Sequence, residues 1–155
     1  MELSKTDDYR YYNGGYFRTL LSPKQTNNAM ALIEFTLPKG AEPPLHIHRD
    51  EDESFYILEG ELSVRIGDTE AILKPGEAIF APRSTPHAFT ILSGKIKMLN
   101  LITPGTLWNF FNEFSVPVAG QPHIPEAQVI PGKEAALQML QTIKSLYHIN
   151  FFETK

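Results

Sequence analysis

From about Tyr16 to Thr103 this chain is a succession of short runs rich in Ile, Leu, Phe and Val, each closed by a turn containing Gly or Pro. Such runs are too short to carry a helical stripe, and their rhythm belongs to a sandwich or barrel of antiparallel strands. Asn28 to Leu37 reads as one strand and Ser54 to Leu58 as another, with Glu59-Gly60 turning the chain into the alternating run Glu61 to Ile66. Gly67-Asp68 makes the next turn. Thr69 to Leu73 then ends at Lys74-Pro75-Gly76-Glu77, where proline presets φ and Gly76 supplies the positive φ of a type II turn. Ala78 to Ala81 follows as a strand, and Ala88 to Leu92 with Lys95 to Ile102 reads as a hairpin closed around Ser93-Gly94.

Beyond Thr103 the period changes. Thr106 to Phe114 carries Leu107, Phe110, Phe111 and Phe114 at helical spacing, and a Pro-rich surface crossing from Val116 to Pro131 leads to a second predicted helix, Lys133 to His148. On that helix Ala136, Leu140, Ile143 and Tyr147 form one stripe, which predicts packing against the outside of the sheet. Met30, Met98 and Phe80 read as core, and Trp108, Phe110 and Phe111 as helix packing rather than a substrate platform. With no internal repeat or break in composition, one domain is expected over residues 1–155, with a barrel core of about 28–103 and a helical extension of about 105–155.

The bulk chemistry excludes several classes of function. A formal net charge of −4 without any dense Lys/Arg cluster gives no footprint for nucleic acid or an anionic membrane surface. There is no cysteine, so disulfides, thiolate nucleophiles and sulfur-based zinc sites are ruled out, and any metal must use nitrogen and oxygen ligands. The segment Met1 to Tyr12 is polar and lacks the apolar stretch of a secretory signal, and no apolar run approaches the roughly 20 residues of a membrane-spanning helix. A cytoplasmic protein is expected. Edge strands of an open barrel need cover, so a homodimer is expected too, with the Tyr-rich segment Tyr9 to Phe17 as its contact.

One constellation carries chemistry. His46 and His48 are separated by a single residue, so on an extended strand both imidazoles point to the same side, and Pro43 and Pro44 keep the segment extended. Glu53 shares a phase with Phe55 and Ile57, and His87 with Phe89 and Ile91, so both turn toward an apolar interior. A buried carboxylate is costly without a cation or hydrogen bonds, so a metal explains what packing does not. Three imidazoles and one carboxylate suit a divalent transition metal ion (Fe, Mn, Ni, Co, Cu or Zn) and leave positions open to water or substrate. Asp52 is the rival ligand to Glu53, whereas Asp50 and Glu51 read as a solvated loop. His123, in the connector, and His148, at the end of the second helix, read as exposed or capping residues.

The spacing Gly40, five residues, His46-Ile47-His48, four residues, Glu53, six residues, Gly60 resembles the first motif of the cupin superfamily. Gly76, five residues, Pro82 and then His87 resembles the second, with Ser84 where glycine is common and Ile91 where asparagine is common. Leu45 to Gly60, Phe80 to Phe89 and Thr103-Pro104-Gly105 are similar to small quercetin dioxygenase-like cupins. The resemblance implies an all-β fold, a double-stranded β-helix or jelly-roll barrel, here with two C-terminal helices. It further implies His46, His48 and His87 as nitrogen ligands and Glu53 as a ligand that also acts as the catalytic base. The expected activity is a metal-dependent dioxygenase reaction on a small, largely apolar enol or phenolic compound. A non-oxidative metal-dependent isomerase or cyclase, and a non-catalytic small-ligand-binding module, are the alternatives on the same scaffold.

Overall fold

The fold, a computed structural model, describes residues 8–126 and 133–152; residues 127–131 of the predicted connector lie outside them. In chain order the strands are β1 (Tyr9–Tyr12), β2 (Gly15–Leu21), β3 (Ala31–Pro38), β4 (His46–His48), β5 (Asp52–Glu59), β6 (Leu62–Ile66), β7 (Thr69–Leu73), β8 (Ala78–Ala81), β9 (His87–Ile91) and β10 (Lys95–Thr103). A 3-10 turn at Gly105–Leu107 leads into α1 (Trp108–Glu113), then β11 (Val116–Pro117), α2 (Lys133–Tyr147) and β12 (Ile149–Phe151). All strand pairs are antiparallel. They form two sheets, ordered β11-β1-β2-β3-β10-β5-β8 and β12-β4-β9-β6-β7, the face-to-face layering of a jelly roll.

Alternation builds the interior. On β5, Glu53, Phe55 and Ile57 face inward from the seven-stranded sheet, and on β9, His87, Phe89 and Ile91 face inward from the five-stranded sheet. On β10, Ile96, Met98, Asn100 and Ile102 share the buried phase. One apolar cluster joins the sheets and takes in Leu107, Phe110 and Phe111 from the turn and α1, Ile143 from α2, and Ile149 from β12.

The expected hairpin around Ser93-Gly94 does not form. β9 lies in the five-stranded sheet between β4 and β6, and β10 in the seven-stranded one between β3 and β5, so Ser93-Gly94 carries the chain from one layer to the other. The Glu59-Gly60 turn also changes layers. It requires glycine: Gly60 has φ of +88°, and a Cβ there would sit 2.5 Å from the Lys95 carbonyl oxygen.

The sheets run beyond 28–103. β1 and β2 form a hairpin paired with β3, so Tyr9 to Phe17, expected at a dimer contact, is sheet within this chain. β12 pairs with β4, an edge the sequence leaves unassigned. Phe80, expected in the core, is 56% exposed, because its register opposite Ser54 puts it on the outer face while Ile79 and Ala81 oppose Phe55 and Glu53 inside. Met98 is buried as expected and Met30 only half-buried. On α2 the inward stripe is Met139, Ile143 and Tyr147; Leu140 is 47% exposed, since the helix contacts β12 and α1 over a narrower arc than a sheet face offers. No helix among the described residues is long and apolar enough to cross a membrane.

Candidate metal centre

β4 carries His46 and His48 on one buried face, pairs His46 directly with His87 of β9, and lies across the sandwich from Glu53 on β5. The structure thus brings together all four residues singled out from the sequence. Each is buried, and each contributes one donor atom to a group whose members lie within 4.8 Å of one another. Glu53 Oε2 stands 3.1 Å from His48 Nε2 and 3.1 Å from His87 Nε2.

The outer nitrogens decide what the inner ones can do. His46 Nδ1 is 2.8 Å from the Pro44 carbonyl oxygen and His87 Nδ1 is 3.0 Å from that of Thr85. A carbonyl only accepts, so in each ring Nδ1 carries the proton, and in the neutral imidazole Nε2 presents a lone pair. At His87 that lone pair faces a carboxylate oxygen at hydrogen-bond distance, an arrangement that repels unless a cation lies between them. A proton or a metal ion meets the requirement. Ligands about 2.1 Å from a six-coordinate ion stand roughly 3.0 Å apart in cis, close to the separations found here. The donor set therefore fits a divalent ion.

The remaining Glu53 oxygen, Oε1, accepts a 2.8 Å hydrogen bond from Asn100 Nδ2, which fixes the carboxylate plane. Burial pushes the Glu53 carboxyl upward, but the His48 and His87 imidazoles outweigh it and hold the group well below the ordinary carboxylate range. His46 is lowered to about 4, chiefly by burial and then by His48 and His87. At His87 burial opposes the charged form, yet the Glu53 hydrogen bond and charge win and raise it. His48 Nδ1, Asn100 Oδ1 and Glu51 Oε2 are buried without a hydrogen-bond partner among the described residues.

Beside the cluster lies a cavity of about 80 Å³, against the roughly 10–15 Å³ one water needs on the same measure. Its walls include Phe35, Phe55, Phe89, Phe110, Phe111 and Phe151, and its lining takes in His46, His48 and Glu53. Phe110 and Phe111 thus line a pocket as well as pack α1, a double role that helical periodicity cannot separate.

Other expectations change. Asp52 is no rival ligand: both its oxygens bind Arg83, with Oδ2 at 2.8 Å from Nη2, at a partly exposed position. Asp50 meets His148 at the surface, but Glu51, read as solvated, is 5% exposed, with Thr106 Oγ1 donating to its Oε1 at 2.9 Å. Burial raises its pKa. His123 is outside the cluster and bonds the Tyr11 hydroxyl. Ser84 has φ of +61°, which explains why glycine is common at this place in the motif; its N–H donates to the His48 carbonyl at 2.7 Å and anchors β4. Asn100, Tyr12 and Glu51 were missed from the sequence. Only Asn100 carried a signal, as a polar residue on the buried phase of β10 between Met98 and Ile102.

Known proteins agree with this architecture. The chain is 29% identical to quercetin 2,3-dioxygenase of Bacillus subtilis (strain 168) over 132 residues, 83% of this chain but only 37% of that protein's length. An uncharacterized protein of Methanocaldococcus jannaschii is 32% identical over 87 residues, 56% of this chain and 70% of its own. Among solved structures, KdgF from Halomonas sp. shares the fold, with a TM-score of 0.59 and 20% identity over 67% of this chain and 94% of that one. Residues 33–102 match the Cupin domain family, and with both motifs folded into one two-layered barrel the chain belongs to the cupins.

Proposed function

We propose that this chain is a metal-dependent dioxygenase-like enzyme in which His46, His48, Glu53 and His87 hold one divalent transition metal ion beside a small, largely apolar enol or phenolic substrate. The observation that carries the reading is the 3.1 Å approach of His87 Nε2 to Glu53 Oε2 while Nδ1 is committed to a carbonyl, which calls for a cation at that point. The likeness to quercetin 2,3-dioxygenase of Bacillus subtilis supports the reaction class.

A bound ion supplies Lewis acidity toward an enol or phenol oxygen and, where redox-active, electrons toward dioxygen. The protein's own residues do the rest. Glu53, whose carboxylate side chain lines the cavity, is the base that takes the hydroxyl proton from the substrate. Asn100 keeps Oε1 engaged, so the carboxylate cannot rotate away from the cavity. The Pro44 and Thr85 carbonyls hold two imidazoles in the tautomer that keeps Nε2 free of a proton. Aromatic walls favour flat, apolar molecules over sugars or polar acids.

The test is dioxygen uptake by protein loaded in turn with Fe, Mn, Ni and Co, with flavonol and 1,3-dicarbonyl substrates. Uptake with stoichiometric loss of substrate is expected. Absence of uptake with every metal, once metal analysis shows a filled site, refutes the oxygenase reading, and turnover under argon replaces it with non-oxidative chemistry.

A further inference from the structure

Besides the His/Glu cluster, the polar side chains lining the cavity are Tyr12, Asn13 and Asn100. Asn13 Nδ2 is spent on the Ala41 carbonyl at 2.6 Å, and Asn100 Nδ2 on Glu53 Oε1 at 2.8 Å. The Tyr12 hydroxyl has no hydrogen-bond partner among the described residues, on a half-buried side chain that lines the cavity. A hydroxyl left free on a cavity-lining side chain is completed by whatever polar molecule enters.

Its placement is built, not incidental. The ring is clamped edge-on or tilted by Phe17, Phe35, Phe110 and Phe111, with centroids 6.2, 6.1, 6.2 and 5.3 Å away. Tyr12 ends β1 just before the turn at Asn13 and Gly14, whose φ angles of 48° and 81° are those of a tight hairpin. The hairpin lies so close to β3 that a Cβ on Gly15 would stand 2.2 Å from the Thr36 carbonyl oxygen. Backbone and aromatic contacts together fix the Tyr12 ring in the cavity wall.

We infer that Tyr12 positions the substrate: its hydroxyl donates a hydrogen bond to an oxygen of the bound enol or phenol, orienting that molecule's reactive end toward Glu53. The inference rests on the function proposed above and adds the residue that selects oxygen-bearing aromatics over hydrocarbons of the same shape. A donor lost from a buried polar contact leaves the ligand oxygen unpaired, which weakens binding by about ten-fold.

The experiment compares metal-loaded wild type with Tyr12→Phe, which keeps the clamped ring, by fluorescence titration with 3-hydroxyflavone and with trans-stilbene, an oxygen-free probe of similar shape. Expected are about ten-fold weaker binding of 3-hydroxyflavone, unchanged binding of stilbene, and unchanged metal content and urea midpoint. Equal affinities of the two proteins for 3-hydroxyflavone overturn the inference and leave the proposed function standing. A matching loss for both probes also overturns it, since that marks a packing role. Wild type that holds metal and binds neither probe overturns the proposed substrate class, and this inference with it.

Discussion

Asn100 is the point at which the candidate site is most sharply exposed to a single substitution. Asn100→Leu replaces a buried amide with an apolar group of similar size, on a strand whose neighbouring inward residues are Met98 and Ile102. It deletes the 2.8 Å bond to Glu53 Oε1, a bond to an ionised group worth about 1.5–3 kcal/mol. It also deletes Asn100 Oδ1, which is buried and unpartnered and so already costs about 1 kcal/mol. The metal-free protein should therefore lose only about 0.5–2 kcal/mol in urea unfolding. Metal binding should suffer more, by about 10- to 100-fold, because the carboxylate loses the partner that holds its plane. Competition against a fluorescent chelator measures that affinity, and equilibrium unfolding of the metal-free protein measures the other. Full metal affinity in a folded Asn100→Leu protein would refute the orienting role, whatever the change in stability.

Acidification gives a second expectation for the metal-free protein. His46 is held at about 4 against 6.5 when free, so the unfolded state binds more protons between those values and stability falls as pH drops through that window. Glu53, depressed below its ordinary 4.5, adds a further loss at lower pH, whereas His87, raised by Glu53, contributes below its free pKa of 6.5 and loses its contribution as pH rises through its raised value. The unfolding free energy of His46→Gln should thus slope less between pH 6.5 and 4 than that of wild type; parallel curves would contradict this. Divalent metal at a hundred times its Kd should add about 2.7 kcal/mol to wild-type stability by calorimetry, and nothing to a His46→Ala, His48→Ala double variant. Gly60→Ala, forced to φ of +88° against the Lys95 carbonyl, should cost about 2 kcal/mol or more in chemical denaturation. A smaller loss would mean that the crossing between sheets yields.

The parts of this molecule that could be read from the sequence are those governed by local period. Glu53 in phase with Phe55, His87 in phase with Phe89, and two histidines one residue apart each follow from the alternation of a strand, and the structure keeps every one of those phases. What alternation cannot supply is the layer to which a strand belongs. Ser93-Gly94 looks like the tip of a hairpin because its flanks alternate correctly, yet the same pattern arises when consecutive strands face each other across the interior. Phe80 fails for a related reason: an aromatic at an edge strand reads as core until the register opposite Ser54 shows which face it takes.

The cavity walls lie further from the sequence than the metal centre does, for a physical reason. A ligand set must hold charge-bearing donors within a few ångströms, and buried charge is so unfavourable alone that its residue types stand out against an apolar background. A wall needs only apolar surface, which the rest of the core also has, so Phe35, Phe111 and Phe151 line the cavity without any local mark that separates them from Phe17. Tyr12 joins them through a hairpin outside both cupin motifs. Ligand sets and substrate choice can therefore vary separately on this scaffold: the histidines and Glu53 sit on β4, β9 and β5, while Tyr12, Phe110 and Phe151 come from the β1–β2 hairpin, α1 and the edge strand β12. Substitutions in those peripheral elements should alter which compounds enter, with metal content left intact.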